Sequence, residues 1–90
     1  MTELVSSWCV YMLRCGDGTL YTGVTNSLDR RIAAHVTGRG ARYTRGRGPL
    51  QLVYQEPCLG KSEALQREAA IKKLPVRRKR ELFAAPPRAS

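Results

Sequence analysis

Short apolar runs alternate with polar punctuation along this chain, and the period of the pattern changes from one segment to the next. Trp8 to Arg14, Trp-Cys-Val-Tyr-Met-Leu-Arg, is aromatic, branched and apolar, which predicts a strand. Gly16-Asp17-Gly18 is a turn signal. Leu20 to Thr25, Leu-Tyr-Thr-Gly-Val-Thr, predicts a second strand, so the two form a hairpin. Gly23 weakens that strand and marks a bulge or the close approach of another group.

The period then lengthens. Asn26 or Ser27 can cap a helix that starts near Leu28, carries Asp29 in its first turn and stops at Gly38. Residues 38–48 are glycine-rich and basic and contain no acid, and Pro49 closes the segment. Leu50 to Gln55 predicts a third strand, and Pro57 to Gly60 a turn. Ser62 is expected to cap a helix from about Glu63 to Leu74, which Pro75 ends. Val76 to about Ala84 predicts a short basic helix docked through Val76, Leu82 and Phe83. The order β-β-α-β-α-α predicts an α+β domain: a three-stranded antiparallel sheet flanked by helices.

Ninety residues make one domain with a single modest core, expected over about residues 8–83, with fraying at Pro86 to Ser90. Charge adds the first functional clue. Sixteen Lys and Arg face seven Asp and Glu, a net +9 that attracts polyanions. Cys9, Cys15 and Cys58 are odd in number and hold no C-x-x-C pair, which fits free thiols in a reducing cytosol. No run approaches the roughly 18 apolar residues of a membrane span, and the N-terminus has no signal-peptide pattern. The chain is therefore expected in the cytoplasm, in contact with nucleic acid and not with a membrane.

Four groups of residues can carry chemistry. On the first helix, steps of about 100° per residue put Leu28, Ile32 and Val36 on one face. Arg31 and His35 lie beside that face as an i, i+4 pair, whereas Arg30 points to the opposite side. The pair is either a functional one or a snorkelling arginine beside a packed histidine. On the second long helix, Ala64, Leu65 and Ile71 form an apolar arc that contains Glu68. A carboxylate there needs a partner: a divalent metal, Arg31 or Lys72. Tyr11 and Tyr21 share a face of the hairpin if its loop has an odd residue count, as core packing, a stacking surface or two catalytic hydroxyls. Arg39, Arg42, Arg45 and Arg47, with Tyr43 and Thr44 among them, form either a solvated loop or a phosphate-binding segment, since arginine forks match phosphate oxygens.

Together these pieces resemble the GIY-YIG nuclease superfamily, especially its small bacterial YhbQ-type members. Cys9-Val10-Tyr11 stands where the family has Gly-Ile-Tyr, keeping only the tyrosine. Tyr21-Thr22-Gly23 stands for Tyr-Ile-Gly about ten residues on. Asp29-Arg30-Arg31-Ile32-Ala33-Ala34-His35 is similar to the helix in which a catalytic arginine precedes a His or Tyr by four. Ala64-Leu65-Gln66-Arg67-Glu68 resembles the helix bearing the metal-binding glutamate. Gly40-Ala41-Arg42-Tyr43-Thr44 is similar to a Gly-Ala-x-x-Thr segment of the structure-selective branch. The C-terminal Asn of some homing enzymes has no counterpart, because no Asn follows Asn26.

The resemblance implies a metal-dependent endonuclease or phosphodiesterase acting in DNA repair or recombination on branched or single-stranded DNA, with RNA as a second possible substrate. It implies one Mg²⁺ or Mn²⁺ held by Glu68 and waters. Arg31 would stabilise developing charge, and Tyr11 would orient or deprotonate water with help from Tyr21 or His35. Nucleic-acid contacts are expected from Arg39, Arg42, Tyr43, Thr44, Arg45, Arg47 and Lys72. Two other readings remain: a basic nucleic-acid-binding module that does not cut, and a nuclease subunit that needs a protein partner.

Overall fold

The computed structural model describes residues 7–84. The expected fraying of Pro86 to Ser90 lies outside them. Strand β1 (Cys9–Arg14), strand β2 (Leu20–Thr25), helix α1 (Leu28–Val36), a 3-10 turn (Arg42–Thr44), strand β3 (Gln51–Pro57), helix α2 (Lys61–Lys72) and helix α3 (Val76–Glu81) follow in that order. The sheet is antiparallel with strand order β2-β1-β3, and the fold is α+β as expected.

The central position of β1 explains its composition. Cys9 to Leu13 are all buried, because helices and loops cover both faces of the middle strand. Val10 and Met12 face Ala64 and Ile71 of α2, with Cys58, and Trp8, Val24, Val53, Tyr54, Leu82 and Phe83 close this core. Tyr11 and Leu13 point to the opposite face. Val53 is an extra residue in β3, since Met12 pairs with Tyr54 and Leu13 with Leu52. No helix among the described residues is long and apolar enough to cross a membrane.

The hairpin turn decides which side chains meet. The amide of Cys15 donates to Thr19 O (2.8 Å), leaving Gly16-Asp17-Gly18 as a three-residue tip. Asp17 Oδ1 accepts from the amide and hydroxyl of Thr19, an Asx-type closure. With this odd loop Tyr11 pairs with Gly23 and Leu13 with Tyr21, so both tyrosines lie on one face.

Several boundaries and burials differ from expectation. Helix α2 begins at Lys61 behind Gly60, and Ser62 makes no cap. Glu63 Oε1 instead accepts the amide of Leu59, one residue before the Gly60 N-cap, at 3.1 Å. Val36 is 65% exposed and Val76 and Leu65 are also exposed, so none of the three anchors its helix. Helix α1 ends at Val36 and the chain reverses at Gly38, with Val36 on the uncovered side of the last turn. The buried residue of α1 is His35 instead. Helix α3 stops at Glu81, and Leu82 and Phe83 reach the core just after it.

Candidate active site

The Tyr11 face of the sheet brings together four of the expected site residues, Tyr11, Tyr21, Arg31 and His35. Helix α1 crosses it and sets Arg31 and His35 against the tyrosines. The ring centroids of Tyr21 and His35 are 5.3 Å apart, those of Tyr11 and His35 5.9 Å, and those of Tyr11 and Tyr21 6.3 Å. Gly23 makes this possible. A Cβ there would stand 2.6 Å from the Tyr11 hydroxyl oxygen and 3.0 Å from the Tyr21 ring, so only a residue without a side chain leaves Tyr11 its place. Gly40 does the same for the histidine, since a Cβ at Gly40 would collide with Nδ1 and Cγ of the His35 ring.

A directed hydrogen-bond chain runs through the cluster. The Thr44 hydroxyl donates its single proton to Ala41 O at 3.0 Å. It can therefore only accept from His35 Nδ1, 2.9 Å away. That places the ring proton on Nδ1 and leaves Nε2 bare, so the Tyr11 hydroxyl donates to Nε2 at 2.9 Å. Arg31 Nε donates in turn to the Tyr11 oxygen at 3.4 Å. The tautomer follows from Thr44, a residue nine positions away on a different element.

Electrostatics agree with this direction. Burial, then the nearby Arg31 charge, push the His35 pKa below its ordinary 6.5, so the ring is neutral at pH 7. Burial raises the Tyr11 pKa to about 12, against the opposing pull of Arg31. At pH 7 only about one Tyr11 in 10⁵ is ionised on that value. Tyr11 is no free-standing base, but it can accept a proton while passing its own to Nε2 of His35, which is the arrangement a proton relay needs. The Arg31 guanidinium is held charged by the Tyr11 hydrogen bond.

The remaining expected residues divide. Arg39, Arg42 and Arg45 are exposed along the 38–48 segment. Arg47 is committed to Asp17, at 2.6 Å, and its guanidinium lies 4.6 Å over the Tyr43 ring. Tyr43 is 41% exposed and packs against Tyr21 at 5.8 Å between centroids. Thr44 does not reach the surface: it is buried, and the phosphate contact expected of it gives way to the hydrogen bond that orients His35. Arg30 is exposed and makes none of these contacts. The Gly-Ala-x-x-Thr resemblance marked Gly40 and Thr44, yet nothing local in the sequence signals that they hold the histidine.

Glu68 stands apart from the relay. It lies on α2, whose Ala64 and Ile71 cover the other face of β1, and its side chain is 20% exposed. Its partner is Lys72 Nζ at 3.2 Å, and no hydrogen bond or ion pair joins it to Tyr11, Tyr21, Arg31 or His35. Lys72, expected at nucleic acid, is engaged there. Among the described residues no cluster of three or more His, Cys, Asp or Glu side chains could hold a metal on its own. The donor set suits Mg²⁺ nonetheless, since that ion accepts one carboxylate completed by waters and substrate phosphate. A partly buried carboxylate whose partner is one exposed lysine keeps free acceptor positions for it.

The chain is similar to several known proteins. A UPF0213 protein of Desulfotalea psychrophila is 54% identical over 80 residues, 88% of this chain and 73% of the relative. One from Oceanobacillus iheyensis is 56% identical over 66 residues, 73% of this chain and 77% of the relative. The solution structure of a UPF0213 protein from Bacillus halodurans is 48% identical, with a TM-score of 0.55 over 83% of this chain and 80% of its own. The solution structure of an E. faecalis protein is 34% identical, with a TM-score of 0.57 over 90% and 85%. Residues 7–81 match the family described as the GIY-YIG catalytic domain, and the chain belongs to that nuclease-type family, alongside the small UPF0213 proteins.

Proposed function

We propose that the protein is a metal-dependent phosphodiesterase that cuts DNA, acting on branched or single-stranded substrates of repair or recombination. The observation that carries this is the directed chain Thr44–His35–Tyr11, with Arg31 beside its end. Hydrolysis of a phosphodiester needs a deprotonated water, compensation of charge on phosphate and a leaving oxygen that can depart. Tyr11 is fully buried in this structure, so its oxygen takes a proton from the attacking water where bound substrate opens a path to it, as its own proton passes to Nε2 of His35. One water O–H and one tyrosine O–H break, a new tyrosine O–H and an Nε2–H form, the water oxygen bonds to phosphorus as the bond to the 3′ oxygen breaks, the 3′ oxygen takes its proton from solvent, and the imidazolium that results is bonded to Thr44 through Nδ1. Arg31, charged and within reach of the Tyr11 oxygen, stabilises the negative charge that builds on the phosphate as the bond to the 3′ oxygen breaks. Tyr21 walls the site and holds the His35 ring edge-on. Glu68 and waters would hold a divalent ion such as Mg²⁺ or Mn²⁺, which would supply charge neutralisation for a bound phosphodiester.

The test is incubation of the purified protein with single-stranded, duplex, flap and branched DNA, and the matching RNA, in Mg²⁺, Mn²⁺ or EDTA. Metal-dependent product that disappears in Arg31→Ala supports the reading. Salt-sensitive binding without product would instead identify a binding module.

A further inference from the structure

A recess lies next to the catalytic face. The hairpin turn, the 3-10 turn and α3 enclose a volume of about 240 Å³, lined by Thr19, Leu20, Tyr43, Val76, Lys79 and Arg80. The three elements are tied together. Arg47 bridges to Asp17 on the hairpin turn, and Arg80 Nη2 donates to Gly18 O at 3.4 Å. No acid lines the recess, and the nearby Asp17 is already engaged by Arg47 and Thr19. Lys79 has no ion-pair partner among the described residues. The volume falls below the roughly 300 Å³ at which drug-sized ligands begin to fit, so it suits one ring system and not a whole cofactor. Tyr43 offers an aromatic wall, with the Arg47 guanidinium over its ring and Tyr21 packed against it, Leu20 and Val76 offer apolar ones, and Lys79 and Arg80 offer the charge.

We infer that this recess is a subsite for one unpaired nucleotide of a bound strand, with its base against Tyr43 and its phosphates on Lys79 and Arg80. The location argues for a strand. Tyr43 also packs on Tyr21, so the recess and the catalytic face share a wall, and a chain crossing one passes directly to the other. A base that is paired cannot turn its face to a protein ring, so the subsite selects single-stranded or splayed nucleic acid over duplex. Stacking on an aromatic side chain is the sequence-tolerant way to hold such a base. This inference rests on the nuclease reading for its biological meaning, but not for its test.

Binding is measured in EDTA, where no cutting occurs, by fluorescence anisotropy of a labelled single strand and of the corresponding duplex. Tyr43→Ala should weaken single-strand binding by roughly 5- to 150-fold, the range of base–aromatic stacking, and duplex binding less than about twofold. Tyr43→Phe should keep the preference. Val76→Trp, at an exposed position, should fill the recess and reproduce the loss without removing the Tyr43–Tyr21 contact. Replacing Lys79 and Arg80 by Gln should flatten the salt dependence of single-strand binding by about 0.7 per residue in log–log slope. Equal losses on both substrates, or no loss in either Tyr43→Ala or Val76→Trp, would overturn the subsite. Competition by a free mononucleotide as effective as by the oligonucleotide would also overturn it, in favour of a mononucleotide site. The nuclease reading fails separately, if the unsubstituted protein yields no product with metal while its single-strand preference persists.

Discussion

Thr44→Val tests the relay at the residue furthest from the substrate. Valine has nearly the shape of threonine, but it cannot accept the proton of His35 Nδ1. A buried donor left without a partner costs about 1–3 kcal/mol. The ring can escape that cost by moving its proton to Nε2. There it faces the Tyr11 oxygen as a donor, and the base is lost. The base-competent tautomer should then become less populated by a factor of about 5 to 150 for that energy, with the full loss of a general base, about 10² to 10⁴, as the limit. Single-turnover cleavage of a labelled oligonucleotide by excess protein should slow within those bounds. Thr44→Ser, which keeps the hydroxyl, should recover most of the rate. The ¹⁵N shifts of His35 should report the proton on Nδ1 in the parent protein and on Nε2 in Thr44→Val, independently of any turnover. A Thr44→Val protein that cleaves at the parental rate, with the same tautomer, would refute the relay.

Other consequences follow from the same geometry. The charge of Arg31 helps to depress the His35 pKa, so Arg31→Gln should raise it towards 6.5 in an NMR titration of the ring; an unchanged or lower value would contradict the assignment. Because His35 is harder to protonate folded than unfolded, its contribution to stability is intact above pH 6.5. It falls as the pH drops through 6.5 and levels off below the folded pKa, which denaturant melts at several pH values should trace. Glu68→Gln should abolish paramagnetic broadening by Mn²⁺ at α2 while changing stability by less than about 1 kcal/mol, since the Lys72 end of the pair it removes is exposed. Gly23→Ala should destabilise the fold by about 1–3 kcal/mol through overpacking against Tyr11, read as a lower Tm, and should also slow cleavage.

Much of the architecture is legible in local pattern. The apolar run from Cys9 to Leu13, the Gly16-Asp17-Gly18 tip and the two helical periods lead to the observed order of elements. The odd tip alone decides that Tyr11 and Tyr21 share a face. The wheel of α1 separates Arg31 from Arg30, and the structure places Arg31 on the Tyr11 oxygen. Wheels were weaker guides to burial. Val36, Leu65 and Val76 have the apolar character of anchors, but each stays exposed.

What the chain determines by itself is whatever a few consecutive residues settle: strand against helix, the parity of a turn, the face a side chain takes on its own element. Tertiary structure alone decided that β1 is central, that Glu68 pairs with Lys72 and not with Arg31, and that Thr44 turns inward to His35. The physical reason is that hydrogen-bond direction at His35 depends on what its second nitrogen meets, and that partner arrives on the 3-10 turn only once α1 has crossed the sheet. The sequence specifies a tyrosine and a histidine on neighbouring elements; the direction in which a proton can pass between them is a property of the fold.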